Sequence, residues 1–141
     1  GANEYNMRND LTASRVLMGS GIPLVQLPCM GVVDKLLTTK PELEHWLKGK
    51  NPICDYLYNR TVADGEKFSP YKTWSRVIWD ISTLFWLMNL DKKYMQDKLV
   101  SAPIPEYTKE YSFDENRHKI CQVYSLNRDA IFSDLFETLG K

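Results

Sequence analysis

The fold class is decided by residues 9–28, which read NDLTASRVLMGSGIPLVQLP. Asn9-Asp10 offers side chains that cap a helix, which we expect to run over Leu11–Met18. Gly19 is a stop signal for that helix. The apolar run Ile22–Pro28 then predicts a short buried strand between chain-breaking residues. A helix, a glycine stop and an apolar strand form half of an α/β unit, so the sequence predicts the α/β class.

Two helices and an exposed loop are predicted next. Thr39-Lys40-Pro41-Glu42 is a capping-box pattern that opens a helix over Pro41–Lys48. Asn51-Pro52 caps a second helix that we expect to end near Val62. Ala63–Tyr71 contains Asp-Gly and Ser-Pro pairs, which are typical of an exposed loop.

The most apolar stretch, Thr73–Leu90, has two readings. Its apolar residues recur at helical spacing, which predicts a central buried helix. A short strand ending near Trp79, with a helix starting at Asp80, fits the same residues. The remaining elements predicted are a strand over Leu99–Ile104, a hairpin of Glu110–Phe113 and Lys119–Tyr124 around Asp114–Arg117, and a helix over Arg128–Leu139 capped by Asn127.

Composition excludes several classes of protein. The chain has 141 residues, of which 43% are hydrophobic and 26% charged, as expected of one globular domain rather than a disordered chain. The formal net charge is zero, which gives no sign of a nucleic-acid or membrane-surface partner. No segment has the roughly 18 apolar residues that span a bilayer. Three widely spaced cysteines, Cys29, Cys54 and Cys121, predict structural thiols in a reducing compartment, hence the cytoplasm.

Glu4 and Asn6 are the first candidate site residues. In a strand, two residues at this spacing point to the same face. A carboxylate and an amide side by side can grip vicinal hydroxyls, because the first only accepts hydrogen bonds and the second both donates and accepts. The alternative is a polar chain end or turn.

Asp80 and Trp79 are the second candidates. Asp80 lies among large apolar residues, and a buried carboxylate needs a partner or a metal. Its structural alternative is a helix N-cap that accepts from the amides of Ser82 or Thr83. Trp79 is either core or a flat apolar wall for a planar base.

Other aromatic and titratable residues carry weaker signals. Tyr56, Tyr58 and Tyr71 flank the predicted loop and could close over a ligand, or simply pack on neighbouring helices. His45 and His118 have the residue type of a general acid, but both lie among polar residues with no local signature.

Three motifs resemble the inosine–uridine-preferring nucleoside hydrolase family. They are Asn3-Glu4-Tyr5-Asn6, then Asn9–Val16 followed by Gly21-Ile22-Pro23-Leu24, and finally Arg76-Val77-Ile78-Trp79-Asp80-Ile81. Family members carry an E-[FY]-N motif, a helix, an S-G-I-P turn with a strand, and later an aspartate that opens a helix. The likeness runs through the whole chain in the same order.

The resemblance implies a nucleoside N-ribohydrolase of purine and pyrimidine salvage, in which water displaces the base of a ribonucleoside. It implies a calcium ion that holds the ribose diol and the attacking water, while an aspartate takes the water's proton. By position, Glu4 and Asn6 match ribose-binding residues, Trp79 lies beside the substrate, and Asp80 matches a calcium ligand. The implied fold is a mostly parallel sheet flanked by helices, with a C-terminal hairpin and helix, and homo-oligomers are common.

Two departures from the family pattern matter. Many members have histidine where this chain has Trp79, and that histidine is the acid for the leaving base. The aspartate-rich motif that supplies most calcium ligands and the general base is missing here. We therefore expect residues 1–141 to be the C-terminal part of a hydrolase domain whose N-terminal half is absent. We also expect the chain alone neither to bind calcium tightly nor to hydrolyse nucleosides.

Two other interpretations stay open. One is a non-catalytic binding or regulatory module derived from the hydrolase fold. The other is an unrelated α/β interaction domain in which Glu4, Asn6 and Asp80 are all structural.

Overall fold

The computed structural model describes residues 2–141, and it confirms the α/β class with six helices and both parallel and antiparallel strand pairs among those residues. The helices are α1 (Tyr5–Asn9), α2 (Leu11–Gly19), α3 (Lys40–Trp46), α4 (Pro52–Phe68), α5 (Ile81–Leu87) and α6 (Arg128–Leu139), with a 3-10 turn at Val33–Lys35. The strands are β1 (Val25–Gln26), β2 (Leu37–Thr39), β3 (Ser75–Val77), β4 (Met95–Ser101), β5 (Ile104–Pro105), β6 (Tyr111–Ser112) and β7 (Lys119–Leu126).

The chain forms two compact units. Unit 1 contains the chain up to Val32 together with Gln96–Ser125. Unit 2 contains Val33–Met95 together with Leu126–Lys141. Within the described residues, none of the helices has both the length and the apolar composition needed to cross a bilayer.

Unit 1 is built on a three-stranded sheet in the order β1-β7-β4. β1 runs parallel to β7, with Val25 opposite Cys121 and Gln26 opposite Gln122. The predicted strand over Ile22–Pro28 is confirmed only at Val25–Gln26. The core of the unit joins α2 to the sheet region through the buried side chains of Met18, Ala102 and Ile120, with Met7, Leu24 and Val100 packed against them.

The predicted hairpin between Glu110–Phe113 and Lys119–Tyr124 is wrong. β6 pairs with β5 instead, antiparallel, and β7 pairs with β1 and β4. The predicted turn at Asp114–Arg117 does form, and in it the Asp114 carboxylate accepts from the amide of Asn116 at 2.9 Å. β7 has a neighbour on each edge, so no edge is left for β6.

Three of the predicted helix caps are confirmed. The side chains of Asp10, Asn51 and Asn127 accept from the amides of Ala13, Cys54 and Ala130 at 2.8, 2.9 and 3.1 Å. Each bond satisfies an amide that the first helical turn leaves open.

The predicted capping box of α3 is not formed. The Thr39 side chain makes no cap bond, and the neighbouring Thr38 hydroxyl donates to Glu42 at 2.7 Å. Thr38 is fully buried in β2, so Glu42 is drawn toward the strand rather than back to the helix start.

In unit 2, α4 continues to Phe68, so most of the predicted loop Ala63–Tyr71 is helical. Gly65 is buried in that helix, and a Cβ atom placed there would lie 2.7 Å from the ring of Trp74. Because Gly65 has no side chain, the indole of Trp74 can pack directly against α4. This contact explains why a residue of low helix propensity lies in the interior of the helix.

The single buried helix predicted over Thr73–Leu90 is also wrong, whereas the alternative strand-then-helix reading is close. β3 pairs antiparallel with β2, Leu37 opposite Val77, and α5 begins directly after Asp80. Only Ser82 and Phe85 of α5 are buried. The apolar stretch divides because β2 offers β3 a strand partner.

Candidate functional site

Glu4 lies at the start of α1 rather than in a strand. Its backbone is extended, with φ −62° and ψ 149°, and the helix begins at the next residue. The side chain is half-buried, and Oε1 accepts a long hydrogen bond of 3.4 Å from the amide of Met30. Met30 lies four residues beyond Gln26, so the Glu4 carboxylate is close to the chain that leaves the carboxyl end of β1.

Asn6 lies within α1, and its side chain is exposed. The prediction that Glu4 and Asn6 share the face of a strand is therefore wrong. On a helix, residues two apart do not face each other. Other polar side chains of unit 1 hydrogen-bond one another near Glu4.

Those residues are Gln26, Gln122 and Tyr111, which with Glu4 we call the polar cluster. The Gln26 side chain is 7% exposed and is bonded at both ends. Its Oε1 accepts from Gln122 Nε2 at 2.9 Å, and its Nε2 donates to the Tyr111 hydroxyl at 3.2 Å. The parallel register places the two glutamines opposite each other, and the start of β6 supplies the tyrosine.

The environment of Tyr111 favours a neutral hydroxyl. Burial raises the pKa of Tyr111, and the nearby Glu4 carboxylate raises this pKa further, against a smaller opposing effect of the Gln26 hydrogen bond. Since tyrosine ordinarily titrates near pH ~10, the hydroxyl keeps its proton at neutral pH. The cluster thus offers an anionic acceptor and a neutral donor in one place.

Gln26, Tyr111 and Gln122 were not predicted from the sequence. The available signal was Gln26, a polar residue in the apolar run Leu24-Val25-Gln26-Leu27, because a buried amide needs hydrogen-bond partners. Which partners it finds depends on the register of β1 and β7, which sequence spacing does not define.

Trp79 and Asp80 form the turn between β3 and α5 in unit 2. Backbone bonds hold this turn: the Ile78 amide donates to Leu36 O at 2.9 Å, and the Ser82 amide donates to Trp79 O at 3.2 Å. Trp79 is 42% exposed, so it is not a core residue.

Asp80 differs from both expectations, since it is neither buried nor a side-chain cap. Its backbone is already helical, with φ −78° and ψ −15°, and its side chain makes no cap bond. A capping side chain normally requires an extended backbone at that position. The Thr83 hydroxyl donates to the backbone carbonyl of Asp80 at 2.9 Å, and the carboxylate is exposed.

The described residues do not form a calcium site by themselves. Across residues 2–141, no three His, Cys, Asp or Glu side chains are grouped so that they could hold a metal ion. Calcium takes about six to eight oxygen ligands, of which Asp80 would supply one or two. The carboxylate of Asp80 is accessible, but the described residues alone do not supply enough grouped oxygen ligands for calcium.

The weaker candidates lie in different surroundings. Tyr58 is buried in α4 beneath Lys48, whose Nζ lies 5.5 Å from the ring centroid, whereas Tyr56 and Tyr71 are exposed. His45 packs edge-on against Trp46 at 5.0 Å. The His118 carbonyl accepts from the Ala102 amide at 2.9 Å.

The predicted site residues fall into both units, with Glu4 and Asn6 in unit 1 and Trp79 and Asp80 in unit 2. That they share one pocket stays a prediction. Comparison of the sequence with protein-family models and with curated proteins gives no match.

Proposed function

We propose that this chain is part of a nucleoside N-ribohydrolase, an enzyme that hydrolyses the N-glycosidic bond of ribonucleosides to ribose and free base. The support is the order of the three motifs, which lie around Glu4, Ile22 and Asp80. Further support comes from the position of Glu4 near the carboxyl end of β1 and from the exposed carboxylate of Asp80. On this proposal the partner is a ribonucleoside, and neither nucleic acid nor a membrane is involved.

The observation that carries the proposal is the position of Glu4. Its carboxylate lies beside the chain that leaves the carboxyl end of a parallel strand. In α/β proteins ligands bind beyond the carboxyl ends of the strands. A carboxylate accepts hydrogen bonds from two adjacent hydroxyl groups, which is the chemistry that a ribose diol requires.

The roles proposed for the other residues follow from their chemistry. Asn6 is exposed and can both donate to and accept from a sugar hydroxyl. Trp79 gives an accessible flat surface on which a purine or pyrimidine can stack. Asp80 offers an accessible carboxylate for calcium, which prefers oxygen ligands.

The remaining chemistry must come from outside these residues. Because the described residues do not complete a calcium site, the other metal ligands and the general base are expected elsewhere in the complete protein. Trp79 has no proton to transfer to a leaving base at neutral pH. What this chain contributes is the binding and orientation of the sugar and one wall for the base.

The test is release of base by the full product of the gene that encodes this chain. Inosine and uridine are incubated with the protein, with and without calcium, and free base is measured by chromatography. Glu4→Gln and Asp80→Asn are each expected to lower kcat/KM at least tenfold, since each removes a charged contact worth roughly 1.5–3 kcal/mol. The matched controls are Glu110→Gln and Asp91→Asn, both exposed and outside the motifs.

Absence of base release from the wild-type protein with calcium would contradict the proposal. Binding of a nucleoside without turnover would instead support the non-catalytic binding module. The 141-residue chain alone is expected to show neither turnover nor tight calcium binding by calorimetry, and micromolar calcium affinity would overturn that expectation.

A further inference from the structure

The hydrogen bonds of the polar cluster run in one direction, and they do not use the hydroxyl proton of Tyr111. Gln122 donates to Gln26, and Gln26 donates to the hydroxyl oxygen of Tyr111. The Tyr111 oxygen is therefore an acceptor in this chain of bonds, and its own proton must point elsewhere. Within residues 2–141 the Tyr111 hydroxyl donates to no neighbouring group, although Glu4 and Cys29 both lie close enough to raise its pKa.

We propose that Tyr111 is a further sugar-contacting residue, which donates its hydroxyl proton to a ribose oxygen beside Glu4 and is positioned by Gln26 and Gln122. This inference rests on the proposed function, because it names a new contact in the same sugar site. The ligand chemistry is a polyol in which one hydroxyl donates to a carboxylate and a neighbouring oxygen accepts from a phenol.

The positioning follows from burial and bond count. The Gln26 side chain is nearly inaccessible, and both ends of its amide are engaged, so it cannot turn away without breaking two bonds. The Nε2–H of Gln26 donates to the Tyr111 oxygen, so the phenol O–H is directed away from Gln26. Since the pKa of Tyr111 is raised, chiefly by burial, the hydroxyl remains a donor at neutral pH.

The experiment uses the full gene product with inosine and its 2′-, 3′- and 5′-deoxy analogues, compared between wild type and Tyr111→Phe. If Tyr111 contacts one sugar oxygen, loss of that oxygen from the substrate lowers kcat/KM about three- to tenfold in wild type but changes it little in Tyr111→Phe, because one hydrogen bond is removed only once. A purely structural role would lower activity equally for every analogue. Tyr107→Phe is the control, an exposed tyrosine in the connection between β5 and β6.

The positioning role is tested with Gln26→Met, which keeps a similar volume without the amide. It is expected to lose the same analogue preference as Tyr111→Phe, and the double variant is expected to lose no more. Full wild-type preference in Gln26→Met would overturn positioning by Gln26, and full preference in Tyr111→Phe would overturn the contact.

A second measurement separates this inference from the proposed function. If the wild-type protein releases no base, the proposed function fails, and the full gene product is titrated with D-ribose while the tyrosine ring signals are followed by NMR. Ribose binding that weakens in Tyr111→Phe but not in Tyr107→Phe supports the contact. No binding of ribose, or equal binding by both variants, overturns it.

Discussion

The two candidate carboxylates are held in opposite ways. Glu4 is half-buried, and near it a buried amide, a second amide and a phenol hydrogen-bond one another. Asp80 is exposed at a turn that backbone bonds hold, and across the described part of the chain its carboxylate makes no hydrogen bond or ion pair. Hydrogen bonds between side chains order the first region, whereas the carboxylate of the second is exposed to solvent.

This comparison separates side chains that stabilise the fold from exposed side chains that contribute little to it. Side chains that satisfy buried backbone groups cannot be changed without loss of stability. An exposed carboxylate that makes no hydrogen bond or ion pair contributes little to folding. The following predictions order side chains of both units by how much stability they carry.

The largest effect is expected at Asn89, which lies just beyond the other end of α5 from Asp80. Its side chain accepts from the amides of Tyr94 and Met95 at 2.9 and 3.0 Å and donates to Met95 O at 2.8 Å, all buried. Asn89→Ala is expected to lower the free energy of unfolding by about 3 kcal/mol, because three buried backbone groups lose their partner. Urea unfolding measures this, with the exposed Asn59→Ala of α4 as control. A loss below ~1 kcal/mol would contradict it.

A smaller effect is expected in the polar cluster. Tyr111→Phe removes the acceptor of the buried Gln26 amide, which should lower the free energy of unfolding by about 1 kcal/mol. Tyr107→Phe should leave it unchanged, since that hydroxyl is exposed and has only a 3.4 Å contact with Thr12. Equal urea midpoints for the two variants would show that the hydrogen bond between Gln26 and Tyr111 does not stabilise the fold.

A pH-dependent effect is expected at Asp134. Hydrogen bonds from Lys93 and then from Tyr94 lower the pKa of Asp134. Because the folded pKa is depressed, the stabilisation is present above the unfolded value of about 4 and is lost as pH falls through the folded pKa. The thermal midpoint of wild type should exceed that of Asp134→Asn at pH 7, and the difference should shrink below pH ~4.

The control for Asp134 is Asp129→Asn in the same helix. Asp129 pairs with Arg128 but its side chain is 88% exposed, so its substitution should give a small difference at any pH. An Asp134→Asn difference that stays constant from pH 7 to pH 3 would refute the pKa assignment.

The smallest effect on folding is expected at Asp80. Asp80→Asn should change the free energy of unfolding by less than about 0.5 kcal/mol, because it removes no bond formed within the described chain. The same substitution is expected to impair hydrolysis by the full gene product. A large loss of stability would place Asp80 among the structural residues and weaken the proposed function.

Local signals predicted the fold where one residue and its neighbours decide the outcome. The caps at Asp10, Asn51 and Asn127 were predictable because the capping bond spans three residues. The last helix, Arg128–Leu139, was predicted to the residue. Distant partners are involved in the rest: the ring of Trp74 packs against Gly65 inside helix α4, and β2 pairs with Ser75–Val77.

The candidate site was predictable in residue type more than in conformation. Glu4 was singled out for chemistry, yet its neighbours Gln26 and Tyr111 are 22 and 107 residues away along the chain. Asp80 was expected in the core, but the helix that follows it buries only one large apolar side chain, Phe85. Periodicity shows that a face is apolar and does not show whether the chain itself covers it.

The pairing of Gln26 with Gln122 ties the site to the alignment of two strands. Inserting one residue between Ile120 and Cys121 would shift every following side chain of β7 to the opposite face. Cys121 would then occupy the position opposite Gln26, and the amide that anchors Tyr111 would lose its own anchor. A chain with the shifted register would lose the hydrogen bonds that join Gln122, Gln26 and Tyr111.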